Sequence, residues 1–201
     1  RFTASWQPEN SDTLIFATWS EGYRPPGFNR AAAQKGGVYS ANAQNIRDDG
    51  TNCGNEVAIP SNASGFPGYC LPYVFESDSL ENMEIGWKAT LADGAVRFNG
   101  SIYRIDWEDI QVSQFDSQNI SILTIVDNGG NAEISGIEGD LVWSVNEQLT
   151  FYAAASFNDT ELVFVDPAFA IVVADAGSML PLTPETQVSF RARYEWEMSN
   201  D

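Results

Sequence analysis

In Asn82-Met83-Glu84-Ile85-Gly86-Trp87-Lys88-Ala89-Thr90-Leu91, the apolar Met83, Ile85, Trp87, Ala89 and Leu91 share one parity. Asn82, Glu84, Gly86, Lys88 and Thr90 share the other. Successive strand side chains point to opposite faces, so the segment has one greasy face and one wet face. The same period of two recurs in Val188, Phe190, Ala192, Tyr194 and Trp196 against Gln187, Ser189, Arg191, Arg193 and Glu195. It recurs again in Ile137, Gly139, Leu141, Trp143 and Val145, and in Leu149, Phe151, Ala153, Ala155 and Phe157. Helical spacing appears over no comparable length, so the chain reads as all-β.

Outward from these segments the pattern predicts seven strands, near 1–7, 13–21, 79–91, 95–115, 121–145, 149–158 and 185–197. Tight turns at Pro8-Glu9-Asn10-Ser11-Asp12, Ala92-Asp93-Gly94 and Asn146-Glu147-Gln148 alternate with other connections at 22–77, 116–121 and 159–183. Two places are ambiguous. At 13–20, Leu14 and Phe16 compete with Ile15, Ala17 and Trp19 for the apolar face. In 95–115 the apolar parity changes at Tyr103, Ile105 and Trp107 and returns at Ile110 and Val112. Either a bulge shifts the phase, or the strand leaves its apolar surroundings near Arg104 and enters water.

Composition narrows the function. The 201 residues hold 28 Asp plus Glu against 10 Lys plus Arg, a net charge of −18, and no His. Such a chain repels phosphate, which excludes nucleic acid as a partner. The lack of His removes His-based triads and the common zinc sites. No cofactor or metal site is expected. No run approaches the ~18 apolar residues of a spanning helix. Cys53 and Cys70 lie in a stretch rich in Asn, Gly and Pro. They read as a disulfide in an oxidising compartment, with two unpaired thiols as the alternative. A bridge there would close a loop worth about 3 kcal/mol.

Alternation alone does not say which way the greasy face points. In a secreted β-sandwich, for instance a carbohydrate-binding module, it points inward. In an outer-membrane barrel it points to lipid. Three features favour the barrel. Tight and longer connections alternate, as at the two rims of a barrel. Trp6, Trp143, Phe151 and Trp196 sit on the apolar parity beside the tight turns, as in an interfacial girdle. Glu84, Lys88, Arg97, Glu138, Asp140, Arg191 and Arg193 stock the wet face. Seven strands do not close a membrane barrel, and an open edge in lipid costs several kcal/mol per unpaired group. The barrel reading therefore requires strands beyond this sequence.

Four stretches carry a family resemblance. Leu14-Ile15-Phe16-Ala17-Thr18-Trp19-Ser20-Glu21-Gly22-Tyr23-Arg24-Pro25-Pro26-Gly27-Phe28-Asn29 resembles a strand with a Gly-Tyr-Arg-x-Pro exit. Glu76-Ser77-Asp78-Ser79-Leu80-Glu81-Asn82-Met83-Glu84-Ile85-Gly86-Trp87-Lys88 resembles the descending strand that follows it. The third is Tyr103-Arg104-Ile105-Asp106-Trp107-Glu108-Asp109-Ile110-Gln111. The fourth is Asp127-Asn128-Gly129-Gly130-Asn131-Ala132-Glu133-Ile134-Ser135-Gly136-Ile137-Glu138. In order and spacing they resemble the TonB-dependent outer-membrane receptors.

The resemblance implies an antiparallel up-and-down transmembrane β-barrel of about 22 strands. Residues 1–201 would be part of that single domain and supply about seven strands, with a long extracellular loop at about 22–77. It implies the bacterial outer membrane, with its lipid as one partner and TonB as another, reached through an N-terminal part that this sequence lacks. It implies active import of a scarce nutrient, foremost a ferric siderophore, otherwise cobalamin or an oligosaccharide.

The loop carries aromatics and amides, which suit a polar ligand with flat faces such as a ferric chelate. Tyr23, Arg24, Phe28, Asn29, Tyr39, Tyr69 and Tyr73 are the ligand-binding candidates; packing of the loop on itself is the alternative. Asp106 and Glu108 could imitate a glycosidase pair, but same-face neighbours on one strand do not face each other across a substrate. No catalytic residue is expected. Asp127-Asn128-Gly129-Gly130-Asn131 hints at a calcium loop but lacks the EF-hand spacing, so it reads as a turn.

Overall fold

The computed structural model describes residues 1–9, 11–29, 57–59, 69–71, 74–115, 124–166 and 175–196. Thirteen strands are present among them. In chain order they are β1 (Phe2–Trp6), β2 (Thr13–Arg24), β3 (Gly27–Phe28), β4 (Val57–Ile59), β5 (Tyr69–Leu71), β6 (Val74–Phe75) and β7 (Asp78–Leu91). There follow β8 (Val96–Glu108), β9 (Gln111–Phe115), β10 (Thr124–Asn128), β11 (Gly130–Ser144), β12 (Leu149–Val165) and β13 (Thr186–Tyr194). Seven of them form one antiparallel sheet in the order β1-β2-β7-β8-β11-β12-β13. The pairs β3–β6, β4–β5 and β9–β10 form separate two-stranded ribbons.

The sheet is an up-and-down meander with its short connections at one end. There the backbone is tight. Ala92, Asp93 and Gly94 take φ of 54°, 53° and 92° between β7 and β8. Asn146 Oδ1 accepts from the amides of Gln148 (2.9 Å) and Leu149 (2.8 Å) between β11 and β12. The opposite end carries the long connections, including all three ribbons.

One face is apolar and exposed. Ile85 is 62% exposed, Ile102 56%, Phe157 52%, Val188 71% and Phe190 69%. Trp143 and Trp196 are likewise exposed rather than gathered inside. Trp87 lies on the same face over Gly100, with its ring 5.5 Å from that of Phe98. In water such exposure costs about 25 cal/mol per Å²; in hydrocarbon it costs nothing. On β7 the apolar parity from Leu91 to Met83 covers nine residues, eight steps along the strand. That is about 27 Å of strand, or about 20 Å of height at a ~40° tilt, close to the ~25 Å apolar band of outer-membrane barrels. No second sheet covers this face among the described residues, so the sandwich alternative fails.

The two ambiguities resolve. On β2, Ile15 (39% exposed) and Trp19 (40%) face outward. Leu14 and Phe16 face the polar side, where the Phe16 ring lies over Gly86. On β8 the register against β7 and β11 runs without a bulge from Val96 to Trp107. The outward residues turn from Val96, Phe98 and Ile102 to Arg104 and Asp106 because the strand climbs out of the lipid band. The predicted strand 95–115 is in fact two, β8 and β9, because Asp109 adopts a left-handed φ of 53° between them. Likewise 121–145 divides into β10 and β11 at Gly129, and β12 runs on to Val165, past the predicted end at 158. Among the described residues the one register shift, between Asn131 and Ala132, lies on β11 against β12.

Candidate functional site

The polar face bounds an open trough of about 900 Å³. Its acids lie mid-wall: Ser101 Oγ donates to Glu138 at 3.4 Å, and Asn99 Nδ2 to Asp140 at 3.1 Å. Tyr103 crosses Gly136 and donates its hydroxyl to Asn158. Cations gather nearer the tight turns, where Arg191 stacks 4.2 Å over Tyr152 and Arg193 pairs with Glu195. Alternation along each strand places all of these on the water side.

At the long-loop end the four family-like stretches converge. Asp78, at the start of β7, is only 2% exposed. Its carboxylate accepts from the Arg24 amide (3.0 Å), Arg24 Nε (2.7 Å), Arg24 Nη2 and Trp107 Nε1 (3.1 Å). Burial alone would push this carboxyl up. The hydrogen bonds from Arg24 and Trp107, with the Arg24 charge, outweigh it and hold the group below the usual carboxylate range. The Arg24 guanidinium is raised in turn, chiefly by its bond to Asp78, and lies 5.5 Å from the Trp107 ring centroid.

Two amides extend the network. Gln111 Nε2 donates to the carbonyls of Pro25 (3.0 Å) and Glu76 (2.9 Å). Asn128 accepts from Glu76 N at 2.7 Å and donates to Glu76 O at 3.2 Å and Asp109 O at 2.6 Å. The Asn128 amide is thus engaged by backbone, so Asp127-Asn128-Gly129-Gly130-Asn131 serves as a clasp rather than a calcium loop. Asp127 beside it is held above the ordinary carboxyl range, first by burial and then by Asp166, against the bond from Asn128 N. Among the described residues no group of three or more His, Cys, Asp or Glu is placed to hold a metal ion.

The predicted ligand residues divide. Tyr23 is 76% exposed and shares the outward parity of Ile15 and Trp19, so it faces away from the trough. Arg24 belongs to the Asp78 network, with its side chain half exposed. Phe28 is 57% exposed on the β3–β6 ribbon. Asn29 is 5% exposed, donates to Val126 O at 2.6 Å and accepts from Val126 N at 2.9 Å. Tyr69 is placed only by its backbone, opposite Ile59. Tyr39 and Tyr73 lie outside the described residues, as does Cys53, and Cys70 is placed only by its backbone opposite Ala58. The Cys53–Cys70 pairing therefore also lies outside them. Asp106 points outward and meets Arg104 at 3.1 Å, away from any cleft. Asp78, Trp107, Gln111 and Asn128 are not among the predicted site residues; their signal in the sequence is that each sits in one of the four stretches.

The comparisons agree with this geometry. The family model described as "TonB dependent receptor-like, beta-barrel" matches residues 1–200. The ferric yersiniabactin uptake receptor FyuA from Yersinia pestis superposes with a TM-score of 0.55 at 14% identity, over 94% of this chain and 22% of that one. The copper transporter OprC gives 0.58 at 12% identity, over 96% and 24%. The pyoverdine outer membrane receptor FpvA from Pseudomonas aeruginosa PAO1 gives 0.54 at 14%, over 98% and 22%. This chain thus spans about a quarter or less of the length of these structures. No curated protein matches it. With a lipid band on one face, a polar trough on the other and the family model spanning almost every residue, this chain belongs to the TonB-dependent receptor-like β-barrels of the bacterial outer membrane.

Proposed function

We propose that the receptor containing this chain imports a scarce nutrient across the outer membrane, with a ferric siderophore first among the candidates and cobalamin or an oligosaccharide behind it. The observation that supports this is a wall with a lipid band outside and a polar trough inside, found in a family whose solved relatives include siderophore receptors. OprC, a copper transporter, is a reminder that the same wall serves other cargo. Energy would come through TonB. Ligand contacts would fall to the long loop, with Tyr39, Tyr69 and Tyr73 as candidates beside the rim residues Arg24 and Phe28. The proposed Cys53–Cys70 bridge would shorten that loop, and peptide mapping without reductant tests it.

The experiment is uptake in a strain deleted for the complete receptor and complemented with it. Radiolabelled ferric siderophores of the catecholate, hydroxamate and carboxylate classes are measured beside cobalamin and maltodextrins. Loss of one uptake on deletion, restored only where TonB is present, supports the reading. Unchanged uptake of all of them would refute it.

A further inference from the structure

The lipid face is not evenly filled. Trp87, Gly100, Gly139, Ala155 and Val188 form one cross-strand row on it. The Trp87 ring lies over Gly100, where a Cβ would meet its Cζ2 at 2.4 Å. Beyond that ring, Gly139 and Ala155 leave the backbone of β11 and β12 as the floor of an open groove of about 330 Å³. Trp87, Phe98, Ile137, Leu141, Ala153 and Phe157 stand around it. An apolar cavity of ~150 Å³ already accepts a benzene ring.

The groove is closed on one side and open on the other. Towards the long connections the next outward row is Ile102, Ile137 and Phe157, all large. Towards the tight turns it is Phe98, Leu141, Ala153 and Phe190. Trp87 and Phe98, with rings 5.5 Å apart, shut the β8 end. Ala153 leaves a gap between Leu141 and Phe190, whose ring is drawn aside to stack on Phe151 at 5.8 Å. Phe151 in turn meets Trp143 at 5.9 Å. These rings lie at the tight-turn end, where the apolar band meets the periplasmic headgroups. From Phe151 to Ala155 is four steps, about 14 Å of strand or about 10 Å of height at a ~40° tilt. The groove thus opens from mid-band toward the periplasmic interface.

The groove is continuous with the face on which the barrel meets lipid. Lipid tails are as apolar as Leu, so no hydrophobic force draws a chain in. Close contact does. Hydrocarbon that bridged over the groove would leave its walls without partner atoms, and a chain seated on the floor recovers them. A straight saturated chain fits such a channel without a kink.

We propose that the groove over Gly139 and Ala155 seats one saturated acyl chain of a phospholipid in the periplasmic leaflet, entered past Ala153. The seat depends on the lipid-facing wall alone, whatever the cargo.

The test uses the complete receptor in phospholipid vesicles, with protease access to the long connections reporting which leaflet is extracellular. The probe is a phosphatidylethanolamine with a diazirine on a saturated chain, loaded into one leaflet by cyclodextrin exchange. After illumination, mass spectrometry compares labelling of the Gly139 and Ala155 peptides with that of Ile15, which lies outward on the Trp87 row. From the periplasmic leaflet, labelling in the groove should exceed that at Ile15 about fivefold, the return on several close carbon contacts. Ala155→Leu fills the floor and Ala153→Leu shuts the gap. Each should remove the excess and leave labelling at Ile15 unchanged. A probe with a cis double bond should give less than about half the excess. A variant that loses labelling at Ile15 has misfolded; the other then decides, and the wild-type leaflet comparison stands without either. Equal labelling of groove and Ile15 in wild type overturns the seat. So does an excess that arises from the extracellular leaflet, that both variants retain, or that the kinked chain matches. Crosslinks between two receptors at Trp87 or Val188, with no lipid label there, would give the groove to a second copy and overturn it too.

Discussion

Arg24 and Asp78, 54 residues apart in sequence, are bound by both backbone and side chain: the Arg24 amide donates to Asp78 Oδ1 at 3.0 Å and its Nε to Oδ2 at 2.7 Å. The pair fastens the end of β2 to the start of β7, where the long connection between them leaves the wall. Trp107 Nε1 adds β8 to the same carboxylate.

Asp78→Ala is expected to destabilise the complete receptor by about 1–3 kcal/mol, because it removes the shared acceptor of part-buried donors on Arg24 and Trp107. The carboxyl is depressed in the fold, so its contribution is present above the unfolded carboxyl pKa of ~3.9 and is lost as pH falls through the lower folded value. Thermal melts at stepped pH check this: the gap between wild type and variant should hold from neutral pH down to about 5 and close in stronger acid.

Asp127 should behave with the opposite sign. Its pKa is raised, so folding favours the protonated form and the charged form is a liability at neutral pH. Asp127→Asn keeps an oxygen for Asn128 N and should raise the melting temperature at pH 7. That gain should vanish as pH falls below the folded pKa, where wild type is protonated too.

Glycine substitutions should rank by what their new Cβ meets. At Gly130 it lies 2.1 Å from Phe164 O with φ at 149°, so Gly130→Ala should be the most damaging. At Gly86 it meets Phe16 Cζ at 2.4 Å and Gly100 O at 2.9 Å, and about 1–3 kcal/mol is expected. Gly22 has nothing within 4 Å, so Gly22→Ala should change stability by less than about 0.5 kcal/mol. Denaturant melts of the three variants give the order.

Ala153 and Ala154 are neighbours on opposite faces, one opposite the outward Leu141 and the other opposite the water-facing Asp140. Ala153→Arg should cost about 2–4 kcal/mol in the bilayer, as for a cation at mid-band. Ala154→Arg should be tolerated, since the trough is wet and Asp140 is at hand. Folding into lipid vesicles under matched denaturant series distinguishes them. Equal penalties would contradict the assignment of faces.

Glu21, Glu81, Asp106, Glu133 and Glu161 lie opposite one another across five strands on the outward face. Directly opposed like charges repel. Arg104 counters them, meeting Asp106 at 3.1 Å and Glu133 at 2.8 Å. Arg104→Gln should therefore lower the melting temperature at low ionic strength, and added salt should shrink the deficit by screening.

Much of the wall was legible in the amino-acid order. A period of two, once it has an oily parity and a wet one, dictates strands and their faces locally, and turn residues such as Asn146 and Gly94 mark the ends. That is why the seven wall strands and the outward set from Met83 to Leu91 can be read directly. The rim was not legible, because its partners are far apart in the chain. Nothing local in Asp109 announces a left-handed φ, and nothing local in Asn128 says that it will grip Glu76, 52 residues away. Those outcomes follow from strand register, which carries distant segments to one end of the wall and leaves their backbone groups to be satisfied by whichever amides arrive there. Only the tertiary structure turned Ile110 and Val112 from an apparent lapse of phase into part of the apolar cluster that seats the β9–β10 hairpin.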